Sequence, residues 1–376
     1  VAVNSDGEQS EDFAVVTRAT QDLLSACNST ALLVRILQRH SGCKDACENM
    51  FAVLGFLVQV YNHDVDAWSI EFNATPFKEA ISVALRAMEM QPTQLWLHEA
   101  ALFYISCACS AGPAVGSSND SSMDPTRRQF LDTNKYFVRE ILRHQGEGLS
   151  GSGAFTVFAS MRRHLDSPAV QGWSCSIIRP LVVLSQANTS IKTSPANVED
   201  KMEHGQSANT LLVQLKEMGI TALVLGSMRC HPQSANVQES AMGALHTLCL
   251  ADTELLAEAV KDDGITAAAA AMRAHSTAER VQSSGCCVLW AMLSGQTGMM
   301  DLLLQIDAQE DLMGLVLSTM RNYATSSAVT ANAMGLLNRM LATDGLTTAK
   351  QIEDGVLLVL GAILCHKDDA RVQANA

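Results

Sequence analysis

The chain has 376 residues, of which 48 % are hydrophobic and 17 % charged, and its formal net charge is −13. This composition excludes a disordered polar chain, and the acidic balance argues against non-specific binding to nucleic acid or anionic lipid, because both depend on Lys and Arg. Aromatic residues make up only 5 %, so we expect a core of Leu, Ala, Val and Met, as in closely packed helices. Eleven cysteines are too few for a disulfide scaffold and favour a reducing compartment.

Residues 1–30 are predicted to form an acidic lead, with four Asp or Glu among the first twelve positions, followed by a first helix. A signal peptide would need a basic and then an apolar stretch, so none is predicted. The longest apolar run, Val356 to Cys365, has about half of the ~20 residues that cross a bilayer. The chain starts at Val1 rather than at a methionine, which we interpret as a processed or excised piece.

One short pattern recurs seven times along the chain. Its complete form is Met-Arg-x-His followed, six residues after the His, by Val-Gln, as in Met228 to His231 with Val237 and Gln238. The copies start at residues 37, 88, 161, 228, 272, 320 and 363, and the first two are the weakest matches. The last three spacings of 44, 48 and 43 residues match the ~40–47 residues of helical repeat units.

The spacing of apolar residues predicts three helices in a unit. Gly219-Ile220-Thr221 opens a helix that ends at Met-Arg-x-His, residues 235–250 form the next helix, and a short helix at 253–260 precedes the next unit. Two stretches rich in Ser, Asn, Gly and Pro, residues 111–132 and 185–207, are predicted to be loop inserts.

The Gly-Ile-Thr opening, the Met-Arg-x-His helix end and the Val-Gln helix together resemble armadillo repeats of eukaryotic scaffold proteins. The resemblance covers residues 30–376, with divergent repeats at 30–110, one repeat at 133–184, and regular repeats at 208–376 of which the last is truncated. It implies an all-α fold, an armadillo/HEAT-like right-handed α-solenoid of about seven three-helix repeats.

In armadillo proteins the third helix of each unit lines a concave partner groove, and the resemblance implies such a groove here. The two groove positions lie six and ten residues after the Val of Val-Gln. They hold Ala52, Phe56, Phe103, Cys107, Ser176, Pro180, Gly243, Thr247, Cys287, Ala291, Gly335 and Arg339. The Trp/Asn ladder of nuclear-import adaptors is missing from them, and a basic groove of the catenin type is disfavoured by the net charge, since Arg339 is the one base.

Several patterns suggest chemistry but have simpler explanations. The recurring His is expected to bond the free carbonyls at a helix end rather than a metal. These histidines are His40, His164, His231, His275 and His366. Cys43 and Cys47 with His40 would offer zinc three ligands but no fourth, so packing or surface thiols are expected. Residues 146–151 match G-x-G-x-x-G but follow a predicted helix at 135–144, which indicates a linker. No catalytic residue, metal site or cofactor is predicted.

We therefore expect a non-enzymatic scaffold or adaptor that presents its surface to extended or helical segments of other proteins. The family resemblance implies a cytoplasmic setting, in a cytoskeletal or ciliary assembly. A regulatory array of a larger enzyme such as a kinase is the alternative, and a nuclear transport adaptor is less favoured. Ser167 and Ser194 precede prolines and are candidate phosphorylation sites. The truncated final repeat predicts an end-to-end contact at the C-terminus.

Overall fold

The structure is a computed structural model of the chain. It describes residues 29–40, 42–63, 74–110, 137–144, 153–190, 211–294, 311–341 and 349–375. All secondary structure in these ranges is helical, with no strand, which confirms the all-α prediction. The chain divides into two compact units, Val1–His164 (unit 1) and Leu165–Ala376 (unit 2).

The helices are numbered in chain order. Those of unit 1 are α1 (Ser29–Arg39), α2 (Lys44–His63), α3 (Ala74–Met90), α4 (Leu95–Ser110), α5 (137–143) and α6 (Gly153–Arg163). Those of unit 2 are α7 (Pro168–Ser190), α8 (Leu211–Glu217), α9 (Ile220–Cys230), α10 (Ala235–Ala251), α11 (Thr253–Lys261), α12 (Gly264–Ala274), α13 (Glu279–Ser294), α14 (Leu312–Asn322), α15 (Ser327–Leu341), α16 (Ala349–Cys365) and α17 (Ala370–Asn375).

All seven copies of the sequence pattern adopt the same local structure. In each, a helix ends one residue before the His position, and the next helix begins four residues after it. In six of the copies the turn is closed by a backbone bond from the third residue after the His position to the carbonyl at that position, as in Ser234 N to His231 O at 3.1 Å. Ser234 then accepts from the Val237 N–H through its hydroxyl, which caps α10. The constant six-residue offset from the His to the Val therefore spans the turn and the start of the next helix, in which the Val is the third residue.

The helices that end at the repeated pattern form one row in each unit, and the helices that begin after it form another. We call them short and long helices after α9 (11 residues) and α10 (17 residues), and we keep these names for α3, α16 and α17, whose lengths differ. In unit 2 the short helices α9, α12, α14 and α16 pack against one another in that order, and so do the long helices α7, α10, α13, α15 and α17. In unit 1 the short helices α1, α3 and α6 follow the same order, beside the long pair α2 and α4. The Met of the repeated pattern lies between the rows, as Met228, Met272 and Met320 show by being at most 3 % exposed.

In six of the seven copies, the side chain at the Gln position of the pattern bonds the end of the short helix. Gln282 donates through Nε2 to the carbonyls of Met272 and His275, at 2.7 and 3.0 Å. Gln238 makes the same two bonds to Met228 and His231, both at 2.9 Å. The His231 and His275 carbonyls also accept a backbone N–H that closes the turn. The Met228 and Met272 carbonyls have no partner within their own helix, so the Gln of Val-Gln satisfies groups that would otherwise be buried without a hydrogen bond.

The remaining oxygen of this glutamine reaches the next repeat. Thr319, just before Met320, donates to Gln282 Oε1 at 2.9 Å, and Ser227, just before Met228, donates to Gln171 Oε1 at 2.5 Å. All four of these side chains are at most 2 % exposed. One glutamine thus caps its own repeat and binds the following one.

The repeated His forms a second bond between repeats, and here the sequence interpretation was wrong in its partner. We expected each His to bond carbonyls of its own helix. Instead Nε2 reaches the turn of the preceding repeat, at the residue just after its His position. The pairs are His231 with Leu165 O (2.7 Å), His275 with Pro232 O (2.9 Å), His366 with Ala324 O (2.8 Å) and, in unit 1, His164 with Pro92 O (3.1 Å). A carbonyl only accepts, so Nε2 carries the hydrogen in each.

The boundary predicted for the second loop insert was wrong. Helix α7 continues to Ser190, so residues 185–190 are helical rather than the start of a loop. Ser185 is buried because its hydroxyl donates to the Val182 carbonyl one turn earlier, which makes a polar residue compatible with the helix interior. The rest of this insert, from residue 191, and the whole insert 111–132 lie outside the described residues.

No single helix among the described residues is long and apolar enough to cross a membrane. The pair α8 and α9 meets that length and composition only when joined across a bend of 57°.

Replacing Gln282 by Leu is expected to destabilise unit 2 by about 2–4 kcal/mol, because the Met272 carbonyl and the Thr319 hydroxyl lose their partner inside the protein and His275 O keeps only its bond from Ala278 N. The matched control is Gln373→Leu. Gln373 makes the equivalent bonds to Ile363 O and His366 O but is exposed, so water replaces it. Hydrogen exchange measures the loss of protection in each variant, in peptides from α12 to α14 for Gln282→Leu and in peptides from α16 and α17 for Gln373→Leu. Equal losses in the two variants would contradict the role assigned to Gln282.

A second prediction concerns the residue before the short helices α9, α12 and α14 of unit 2. Gly219, Asp263 and Asp311 all have a positive φ there, of 61°, 61° and 43°. Asp263→Gly should stabilise the protein by about 0.5–1 kcal/mol, since a left-handed conformation is unfavourable for a residue with a Cβ. Asp311→Gly should increase stability less, because it also removes the bond that the Asp311 carboxylate accepts from the Gly314 N–H at 3.1 Å. Thermal unfolding of both variants tests this order.

Candidate functional site

The first predicted groove position is on the surface of every long helix to which it was assigned. Its residues, each partly exposed, are Ala52, Phe103, Ser176, Gly243, Cys287 and Gly335. The flanking positions of these helices are mostly buried against neighbouring helices. This position therefore forms a row along the long helices within each unit.

The second predicted position does not form a consistent row. Phe56 and Arg339 are exposed and Cys107 and Pro180 partly exposed, but Thr247 and Ala291 are buried. At 100° per residue, a position ten residues after the buried Val is turned about 80° from it, toward the neighbouring helix, whereas the ninth position points directly away.

The ninth position was missed in the sequence. In unit 2 it holds Arg179, His246, Trp290 and Asn338, of which Arg179, Trp290 and Asn338 are exposed and His246 is half-buried. Helical periodicity alone could have identified these residues, since each lies three residues after the first groove position. In unit 1 the corresponding Gly55 and Ser106 are buried, so the divergent repeats present a different face.

The predicted groove positions of unit 1 carry two aromatic side chains, Phe56 and Phe103. The rings of Phe56 and Phe103 meet edge to face with centroids 5.4 Å apart and an angle of 66°. Phe56 is 48 % exposed and Val53, beside it, 45 %. Gly55 makes the contact possible, because a Cβ there would lie 2.5 Å from the Phe103 ring. Two large apolar side chains held this way are available to a partner.

The corresponding surface of unit 2 has a floor of small residues and a polar rim. The floor is Ser176, Gly243, Cys287 and Gly335, and a Cβ at Gly243 would meet no atom within 4 Å. The rim contains Arg179, His246, Trp290 and Arg339, of which Arg339 donates through Nε to Leu293 O at 3.0 Å. A partner can approach the backbone of the floor closely while its polar groups meet the rim.

Burial and the Arg179 charge set the protonation of this rim. Burial first, and then Arg179, lowers the pKa of His246, so its imidazole is neutral at pH 7. Burial raises the pKa of Cys287 to about 11 in spite of the opposing effect of Arg179. The thiol is therefore protonated and behaves as an apolar contact rather than as a nucleophile.

The His40, Cys43 and Cys47 cluster has a structural use. Cys47 is buried and its Sγ donates to the His40 carbonyl at 3.5 Å, so it replaces the Gln that caps other repeats. Burial raises the pKa of Cys47, and Cys43 is exposed. Within the described ranges no group of three His, Cys, Asp or Glu side chains is placed to hold a metal ion.

Ser167 caps a helix. Its hydroxyl accepts from the Val170 N–H at 3.1 Å and is only 5 % exposed, so a kinase would reach it only after the end of α7 opens. The equivalent Ser234 and Ser326 cap α10 and α15 in the same way. Ser194 and residues 146–151 lie outside the described residues.

His98 takes the place of the capping Gln in unit 1. Its Nε2 donates to Gln91 O at 3.1 Å, and its Nδ1 accepts from the Ser160 hydroxyl at 2.7 Å. Burial is the main cause that lowers the pKa of His98 to about 4, with His164 and Arg163 adding to it. The folded state therefore favours the neutral ring, mainly because burial penalises its charged form.

The stability of unit 1 should therefore fall as the pH drops from about 6.5 toward 4. The unfolded His98 takes up a proton in this window and the folded one does not, so stability is complete above 6.5 and about 3 kcal/mol is lost at pH 4. His98→Gln is the matched control, since Gln makes both bonds in unit 2 without titrating. Urea denaturation at several pH values measures the difference. An equal loss in the two proteins would show that His98 does not cause it.

No model of a known protein family matches the chain, and no curated protein matches it either.

Proposed function

We propose that the chain is a non-enzymatic protein-interaction scaffold built from armadillo-type repeats. The support for the repeat type is the seven identical helix-turn-helix segments and the three-helix units α8–α10 and α11–α13. In these units two short helices precede one long helix, which is the arrangement that separates armadillo from two-helix repeats.

The observation that carries the proposed function is the row of partly exposed positions on the long helices. Packing between the repeats does not account for these exposed positions. The residues that occupy them also differ between the two units. Unit 1 offers the aromatic pair Phe56 and Phe103, and unit 2 offers small residues beside Arg179 and Trp290. Exposed aromatic and Arg side chains around a small floor are the residues that dominate binding energy at protein interfaces.

The expected occupants are extended or helical segments of other proteins. An extended segment would lie across the floor residues, whose small size leaves room for the backbone of that segment. The two arginines of the rim favour acidic groups in the part of the segment that meets unit 2. The cytoplasmic, cytoskeletal or ciliary setting implied by the family resemblance belongs to the same proposal.

Selection of binding peptides from a displayed random library, followed by fluorescence polarisation, tests the proposal. Peptides selected on the wild-type chain should lose about tenfold or more in affinity to Phe56→Ala or Trp290→Ala, which corresponds to at least ~1.4 kcal/mol. Leu32→Ala and Val213→Ala are controls, because these residues are 57 % and 50 % exposed on short helices. They should leave binding unchanged.

Either of two results would contradict this proposal. One is a selection that yields no peptide with measurable affinity. The other is a set of peptides whose binding is reduced by the two control substitutions and not by Phe56→Ala or Trp290→Ala.

A further inference from the structure

Helix α16 presents an apolar stripe to solvent. Its residues, from 43 % to 78 % exposed, are Ile352, Val356, Leu357, Leu360 and Leu364. From the first to the last they extend about 18 Å along the helix. A patch of this kind, on the order of 500 Å², is comparable to the largest apolar patch of a typical monomer, and such patches are often functional.

The preceding repeats show what covers these positions. Val356 and Leu360 lie seven and three residues before the Met position of the repeat, which Ile363 occupies. In α14 the equivalent residues are Met313 and Leu317, which are 0 % and 3 % exposed. Helix α16 covers them, and the backbone at Gly355 approaches Leu317 Cδ2 closely. In α12 the equivalent Ile265 and Ala269 are likewise buried.

The stripe is therefore an inter-repeat interface whose second half is missing among the described residues. At the junction of α14 and α16 the covering element is the next short helix, which turns its buried face at Gly355 toward α14 and leaves its stripe outside. The stripe needs an apolar helix of similar length to cover it, with aliphatic residues along one face. A second α16 satisfies that requirement.

We propose that two copies of this chain pair through α16 about a two-fold axis, with the two helices antiparallel. Closed two-fold pairing is the commonest arrangement of self-associating proteins. With the axis at Leu360, this residue meets its own copy, and Val356 meets Leu364 of the other copy. Two stripes together approach the roughly 1,000 Å² that a specific interface needs.

The charges at the ends of the stripe fit this register. In an antiparallel pair centred on residue 360, Glu353 comes to the end of the other copy's α16, where Lys367 lies in the turn two residues after that helix ends. Both side chains are exposed, and neither forms an ion pair with any residue that the structure describes. The pairing thus brings two opposite charges together on each side of the axis, whereas a one-residue change in register would separate them.

The test uses the 376-residue chain in light scattering coupled to size-exclusion chromatography and in sedimentation equilibrium. The wild type should form a dimer of twice 40.3 kDa. Leu360→Asp should raise the dimer dissociation constant by about 100-fold or more, because it places two carboxylates against each other at the axis. Leu250→Asp is the control, since Leu250 is 58 % exposed on α10 and outside the stripe.

The charge pair tests the register and remains informative if Leu360→Asp fails to fold. Glu353→Lys and Lys367→Glu should each weaken the dimer, and the double variant should restore it, because it only exchanges the two sides of each pair. A wild-type chain that stays monomeric, or a dimer indifferent to Leu360→Asp, would overturn the proposal. So would open-ended growth with concentration, which indicates head-to-tail contacts. Because the stripe is separate from the groove positions, these outcomes do not depend on peptide binding.

Discussion

A helix that ends inside a packed array leaves carbonyl groups that water cannot reach, and this constraint organises the whole repeat. The cost of an unpaired buried carbonyl is about 1–3 kcal/mol, so each repeat must supply a donor at the same place. Gln238 and Gln282 supply it in unit 2, and His98 and Cys47 supply it in unit 1. The chemistry of the side chain varies, but the position of the donor does not.

The same side chain also fixes one repeat on the next. A glutamine has two donor hydrogens and one acceptor oxygen, so it can cap its own helix and still accept from the Ser or Thr of the following repeat. The His of the same repeat adds a bond in the opposite direction along the chain, to a carbonyl in the turn of the preceding repeat. Because both bonds link neighbouring repeats, each junction is specified locally, which is the connectivity expected of a repeat protein.

This division of labour leaves the long helices available for binding. Their buried side carries the Val, the Gln and the small residue that face the core, while their outer side has no structural duty. That freedom explains why the outer residues differ so much, from Phe56 and Phe103 to Gly243 and Trp290. Helix α16 belongs to the other row and is exceptional there, because its outer residues are aliphatic although no described element covers them. In the proposed scaffold the first feature selects partners, and the second joins copies of the chain.

Much of the fold could be predicted from the sequence because the helix ends repeat at a fixed offset. Met228 to His231, with Val237 six residues on, predicts a helix end, a turn of constant length and a new helix, and these are local properties of the backbone. The sequence did not predict that Ser185 continues α7, because a hydroxyl can bond its own helix as well as a loop. Nor did it predict which outer residues are exposed. Whether Thr247 is buried or Arg179 exposed depends on how far each helix is rotated about its axis, and packing against its neighbours sets that rotation.

The sequence by itself thus determined the all-α class, the number of helix-turn-helix copies and the positions at which the Gln and His of the pattern recur. It could not determine the partner of each capping side chain. The His231 ring bonds Leu165 and the Gln282 oxygen bonds Thr319, at separations of 66 and 37 residues. The periodic sequence shows that such residues recur, but only the packed helices decide which donor lies within hydrogen-bonding distance of which acceptor.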